Sequence, residues 1–98
     1  MSKLERNYLN VPIINTDRLI LSNPTEKDYQ YIRLFLQSSR SKYIGGPYSS
    51  FAVWSDYMAN IGHWSLYGYG LWSVKLKQDN QFIGRVGVIK PKIFEEED

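Results

Sequence analysis

The chain has 98 residues, enough for one domain or part of one built around a single modest core. It has no cysteine, which excludes disulfides, thiolate nucleophiles and Cys-based metal sites, and its one histidine leaves little for any other metal centre. Net charge is +2, but four of the ten acids are the last four residues, so a mildly cationic body precedes an acidic tail over 95–98.

Residues 1–10 read as a polar lead-in with no signal-peptide core. No apolar run is long enough to span a bilayer, so no membrane partner is expected. Residues 11–14 are apolar and extended, and Pro12 argues against a central strand there. Residues 18–22 form the first predicted strand, with Leu19 and Leu21 on one face. A helix starts in 23–28, where Pro24 suits the first turn and Thr25 with Asp28 has capping-box spacing. Ile32, Phe35 and Leu36 give that helix an apolar face ending near Ser38.

Residues 39–50 read as a loop punctuated by Gly45-Gly46-Pro47. Ser49 or Ser50 caps a second helix whose apolar stripe is Trp54, Tyr57, Met58, Ile61 and Trp64, and Gly68 ends it. Residues 71–77 form the second strand, with Trp72, Val74 and Leu76 on one face and Ser73, Lys75 and Lys77 on the other. A turn over 78–81 leads into a third strand over 82–89, completing a hairpin. Gly84 and Gly87 interrupt that strand and signal a bulge or a close backbone approach. The expected fold is α+β, ordered β-α-α-β-β: a three-stranded antiparallel sheet with two helices, in one unit over 1–98.

Four segments carry a family resemblance. Thr16-Asp17-Arg18-Leu19-Ile20-Leu21, Tyr43-Ile44-Gly45-Gly46-Pro47, Gly62-His63-Trp64-Ser65-Leu66 running on to Val74, and Ile83-Gly84-Arg85-Val86-Gly87 follow in order. Together, over about 15–91, they resemble the first half of a GNAT N-acetyltransferase domain, in its ribosomal-protein-alanine acetyltransferase branch. The resemblance implies acetyl transfer from acetyl-CoA to an amine: a protein N-terminus, a polyamine, an aminoglycoside or an amino-acid-like small molecule.

The family grips the coenzyme pyrophosphate on a Q/R-x-x-G-x-G/A turn at a helix N-terminus. No such motif occurs in the sequence. The expectation is therefore a truncated domain, inactive alone, with no acetyl-CoA bound by this chain and no catalytic residue assigned. The alternative is a non-catalytic oligomerisation or interaction module. The resemblance also implies a fourth strand beside 82–89. Without it that edge is open, which predicts a homodimer through the edge, element exchange, or a C-terminal half on another chain.

By the same resemblance Arg40 and Tyr43 border the acceptor cleft, and Tyr69 and Trp72 lie near the acceptor site as an aromatic wall with cation–π character. These four are the expected substrate-binding residues. Tyr69 and Trp72 read equally as core aromatics, and Arg85 as an ion-pair partner or a cleft residue. His63 has two readings, a general base or a helix-end packing residue. Nucleic acid is not an expected partner, because the lysines and the rings of 71–77 take opposite faces. The missing cysteines fit a reducing cytoplasm.

Overall fold

The computed structural model describes residues 6–90. In chain order these are β1 (Ile14–Asn15), β2 (Leu19–Ser22), α1 (Glu26–Leu36), a 3-10 helix (Ser39–Ile44), α2 (Ser50–Tyr67), β3 (Leu71–Leu76) and β4 (Phe82–Gly87). The expected acidic tail lies outside the described residues.

Local chemistry sets the helix ends. The Thr25 hydroxyl accepts the Asp28 N–H at 3.2 Å, which caps α1. Glu26 and Asp28 in its first turn and Arg33 in its last complement the helix dipole. The Ser49 hydroxyl accepts the Ala52 N–H at 3.1 Å and caps α2. Gly68, at φ 78°, closes α2 by donating its N–H to the Trp64 carbonyl, a conformation that favours glycine. The segment expected to be a plain loop contains the 3-10 helix. Ser41, fully buried, donates its hydroxyl to the carbonyls of Leu36 and Ser38 and ties this turn to the end of α1.

The strands form one antiparallel sheet in the order β1-β2-β3-β4. The count of four corrects the expected three. The added strand is two residues long and pairs Ile14 with Leu21 and Asn15 with Ile20. It sits at the edge, where the preceding proline removes no ladder bond, and so short a pairing leaves no alternation to read. Between β3 and β4 the register shifts: Val74 faces Gly84 and Lys75 faces Phe82, so Ile83 is the extra residue of a bulge. Gly87, at φ 153°, marks a close approach. A Cβ there would lie 2.1 Å from the Gly70 carbonyl oxygen.

Helices α1 and α2 cover the sheet face that carries Ser73, Lys75, Phe82 and Arg85. Lys75 reaches Asp28 of α1, Arg85 reaches Asp56 of α2, and the Phe82 ring stacks on Tyr31 of α1. The core between these layers is Ile32, Val53 and Tyr57, ringed by Tyr29, Leu36, Ile61 and Phe82. The apolar alternation of β2 and β3 therefore points away from the helices: Leu19 pairs with Leu76, Leu21 with Val74 and Trp72 with Val86 on the opposite face.

The stripe expected on α2 is rotated. Trp54 and Met58 are exposed, while Val53, Tyr57, Asn60, His63 and Trp64 are buried. The cause is hydrogen bonding to the start of β3. The Asn60 side chain accepts the Leu71 N–H at 2.8 Å and donates to the Leu71 carbonyl at 3.1 Å. The Trp64 indole N–H donates to that same carbonyl at 2.9 Å.

Candidate functional site

A groove runs between α1, the 3-10 helix and β4, with a volume of about 560 Å³. Tyr31, Phe35, Leu36, Ile44, Phe82 and Ile83 give it apolar walls, and Arg40 and Arg85 supply positive charge. A smaller hollow of about 280 Å³ joins it at Leu36, Ile44 and Arg85 and extends to Val53 and Asp56. The combination of apolar walls with a few charged groups is what small-ligand sites have in common.

Each element contributes for a local reason. The apolar stripe of α1 ends in Phe35 and Leu36, and the Ser38 cap turns the chain so that Arg40 lies over the Phe35 ring, 5.6 Å from its centroid. The bulge at Ile83 brings Phe82 and Arg85 of β4 onto the helix side. Arg85 Nη2 donates to Asp56 Oδ2 at 2.8 Å, with the Asp56 side chain about half exposed. Such a pair orients the guanidinium more than it stabilises the fold.

The four expected substrate-binding residues fall into two groups. Arg40 lines the groove. Tyr43 stands outside it, 87% exposed, with the Lys42 ammonium 5.4 Å from its ring centroid. Tyr69 and Trp72 lie at the other end of α2, whose 18 residues span about 27 Å. The Trp72 indole N–H donates to the Pro12 carbonyl at 2.7 Å, and its ring meets Trp64 edge-on at 5.2 Å. Tyr69 packs edge-on against His63 at 4.9 Å. The fold thus brings Arg40 together with Arg85, but not with Tyr69 and Trp72.

His63 has both ring nitrogens engaged. Its Nε2 accepts the Lys90 N–H at 2.8 Å, so Nδ1 carries the hydrogen and donates to the Tyr69 carbonyl at 2.6 Å. The histidine clasps the end of α2 to the segments that enter β3 and leave β4. That geometry is the packing role, with no nitrogen left for a substrate proton.

Sequence reasoning missed Tyr31, Phe35, Phe82 and Ile83 as groove walls. Their apolar character was visible; which face of the strand met the helices was not, because Lys75 and Arg85 made that face look solvent-directed. Among the described residues no group of three or more His, Cys, Asp or Glu is placed to hold a metal ion. No described helix is long and apolar enough to cross a membrane.

The helix N-termini do not fit a coenzyme pyrophosphate. At α1 the Asp28 N–H is taken by Thr25, and Glu26 and Asp28 place negative charge where phosphate would sit. At α2 Ser49 takes the Ala52 N–H, and the two residues before the helix are Tyr48 and Ser49, not a glycine turn. No reaction step is therefore assigned to a coenzyme on these residues.

Comparison with solved structures finds an acetyltransferase from Agrobacterium tumefaciens str. C58 at a TM-score of 0.78 and 28% identity, covering 84% of this chain and 48% of that one. A putative GnaT-family acetyltransferase from Bordetella pertussis follows at 0.62 and 19% identity, covering 78% and 45%, a likeness of fold alone. The chain thus spans about half the length of each of these structures. No curated protein matches it. The family model described as "Acetyltransferase (GNAT) domain" matches residues 18–97, most of the chain, and with the β-α-α-β-β order in place from β2 to β4 the chain belongs to the GNAT acetyltransferase domain family.

Proposed function

We propose that the chain supplies the acceptor side of an N-acetyltransferase, with the amine received in the groove beside Arg40 and Arg85 and the acetyl-CoA phosphates held by residues outside it. The observation that carries this reading is the groove, which is lined by β4, the last strand of the sheet order, with no residue of β3 in its walls. A further strand laid along β4 would close the ladder and wall the groove at once. The coenzyme phosphates need several converging N–H groups, which α1 and α2 do not present, so the chain alone binds no acetyl-CoA and is inactive alone. The motif likeness supports the ribosomal-protein-alanine branch and a protein N-terminal amine as acceptor. The cysteine-free composition suits work in the cytoplasm.

The test is chemical-shift mapping with short N-terminal peptides and with simple amines. Binding in the groove shifts the amides of Arg40, Gly84 and Arg85 together. Shifts confined to the Tyr69–Trp72 end would move the acceptor site to the opposite end of α2.

A second reading has its own support. The same outer rim of β4 fits pairing with a second copy, either edge to edge or by exchange of elements, which would make the chain an assembly module. Exposed Ile83 and Val86 on this strand favour it. Light scattering after size exclusion at micromolar concentration distinguishes a dimer from an 11.5 kDa monomer.

A further inference from the structure

Four buried polar atoms have no hydrogen-bond partner among the described residues: Asp28 Oδ2, Tyr57 Oη, Ser73 Oγ and Arg85 Nη1. Asp28, Tyr57 and Ser73 are each only 1% exposed. One isolated orphan is unremarkable as a local imperfection; four in one small interior are not, because each forfeits its hydration.

Contacts link the elements that carry them. Asp28 Oδ1 of α1 lies 3.8 Å from Lys75 Nζ of β3. Ser73 is two residues before Lys75 on the same strand and so on the same face. Ser73 pairs directly with Arg85 across the β3–β4 ladder. Arg85 bonds Asp56 of α2 at 2.8 Å, and Tyr57 is the next residue. Tyr57 leads back to α1, its ring centroid 5.0 Å from that of Tyr29, the residue after Asp28, and burial first and the Asp28 charge second push its phenol well above the ordinary range. The orphans are also complementary. Asp28 Oδ2 only accepts, Arg85 Nη1 only donates, and the two hydroxyls do both. No two of them bond directly; a small mediator that both donates and accepts would satisfy them, and water is the molecule that makes two to four such bonds in a polar interior.

We propose that these elements enclose an internal water site, in which water bridges Tyr57 and Ser73 to Asp28 and Arg85 and joins α1, α2, β3 and β4 through one polar joint. The site shares Arg85 with the groove wall, and its test reads stability and bound water, not amine binding.

The test is a double-mutant cycle on Tm with the full chain, using Y57F and S73A, which remove one hydroxyl each and keep the shape nearly constant. Each single variant is expected to lower Tm by about 4–8 °C, the shift that losing one net hydrogen bond produces in a domain of this size. The double variant is expected to fall clearly short of the sum, because both hydroxyls hold the same water. Additive losses overturn the proposal. So does a Y57F protein that melts at or above the parent temperature, the behaviour of a dry orphan relieved. Oxygen-17 relaxation dispersion gives a second readout. The parent is expected to show a long-lived water that the double variant lacks, and identical dispersion in the two proteins overturns the proposal as well.

Discussion

At the scale of single residues, the polar side chains in the interior act as ties to backbone. His63, Asn60 and Trp64 all bond backbone around residues 69–71 or 90, and all three sat inside what the sequence showed as a hydrophobic helix. Replacing His63 with alanine leaves the Lys90 N–H and the Tyr69 carbonyl without their partner. The expected loss is about 1–3 kcal/mol in chemical denaturation, with unchanged helix content by circular dichroism. A His63→Ala protein as stable as the parent would return the residue to the list of candidate bases. Gly87→Ala is expected to cost at least about 2 kcal/mol, since its Cβ meets the backbone of Gly70 and Leu71, which cannot rotate away. Gly62→Ala is the control, because a Cβ there meets nothing within 4 Å and the helix gains about 0.5–1 kcal/mol from the change. These ties were only half legible beforehand. Glycines inside a strand announce a special backbone. An asparagine inside a helix announces nothing until the strand it serves is in place.

At the scale of elements, caps and turns were the most legible features, because Thr25, Ser49 and Gly68 act on backbone within a few residues of themselves. The hairpin of β3 and β4 was equally visible from alternation. Which face of the hairpin meets the helices was not. Alternation tells that Trp72, Val74 and Leu76 share a side, and the usual inference sends that side to the nearest helices. Here the helices take the side of Ser73, Lys75 and Arg85, and Asp28 and Asp56 on α1 and α2 neutralise the two cations. The two pairs differ in burial, and their predicted costs differ accordingly. Asp28→Asn, at a site 1% exposed, leaves Lys75 facing a neutral amide and is expected to lower stability markedly, by about 2–4 kcal/mol. Asp56→Asn, with its side chain 47% exposed, is expected to change stability by less than about 1 kcal/mol. Urea melts of the two variants make the comparison. Equal losses would mean that the Asp28 site is far wetter than its burial indicates.

At the scale of the whole molecule, the sheet among the described residues ends on β4 with a charged, apolar-walled groove alongside, and its apolar face lies opposite the one that α1 and α2 cover, with Trp72 meeting Trp64 at the end of α2. The family was legible from four short segments because each governs a turn or junction that the fold needs. Of the groove, Arg40 and Arg85 were legible. Tyr69 and Trp72 looked like companions of Arg40 because they are aromatic and adjacent to a junction; in the fold Tyr69 packs on His63, and Trp72 takes the sheet face opposite Arg85 and bonds Pro12. Membership in the GNAT family together with helix N-termini unsuited to phosphate leads to one sharp expectation, that this chain holds the acceptor side and leaves the coenzyme to others. Isothermal titration of acetyl-CoA into the 98-residue chain tests it most directly. No saturable heat is predicted at submillimolar coenzyme, whereas stoichiometric binding with a micromolar dissociation constant would contradict it.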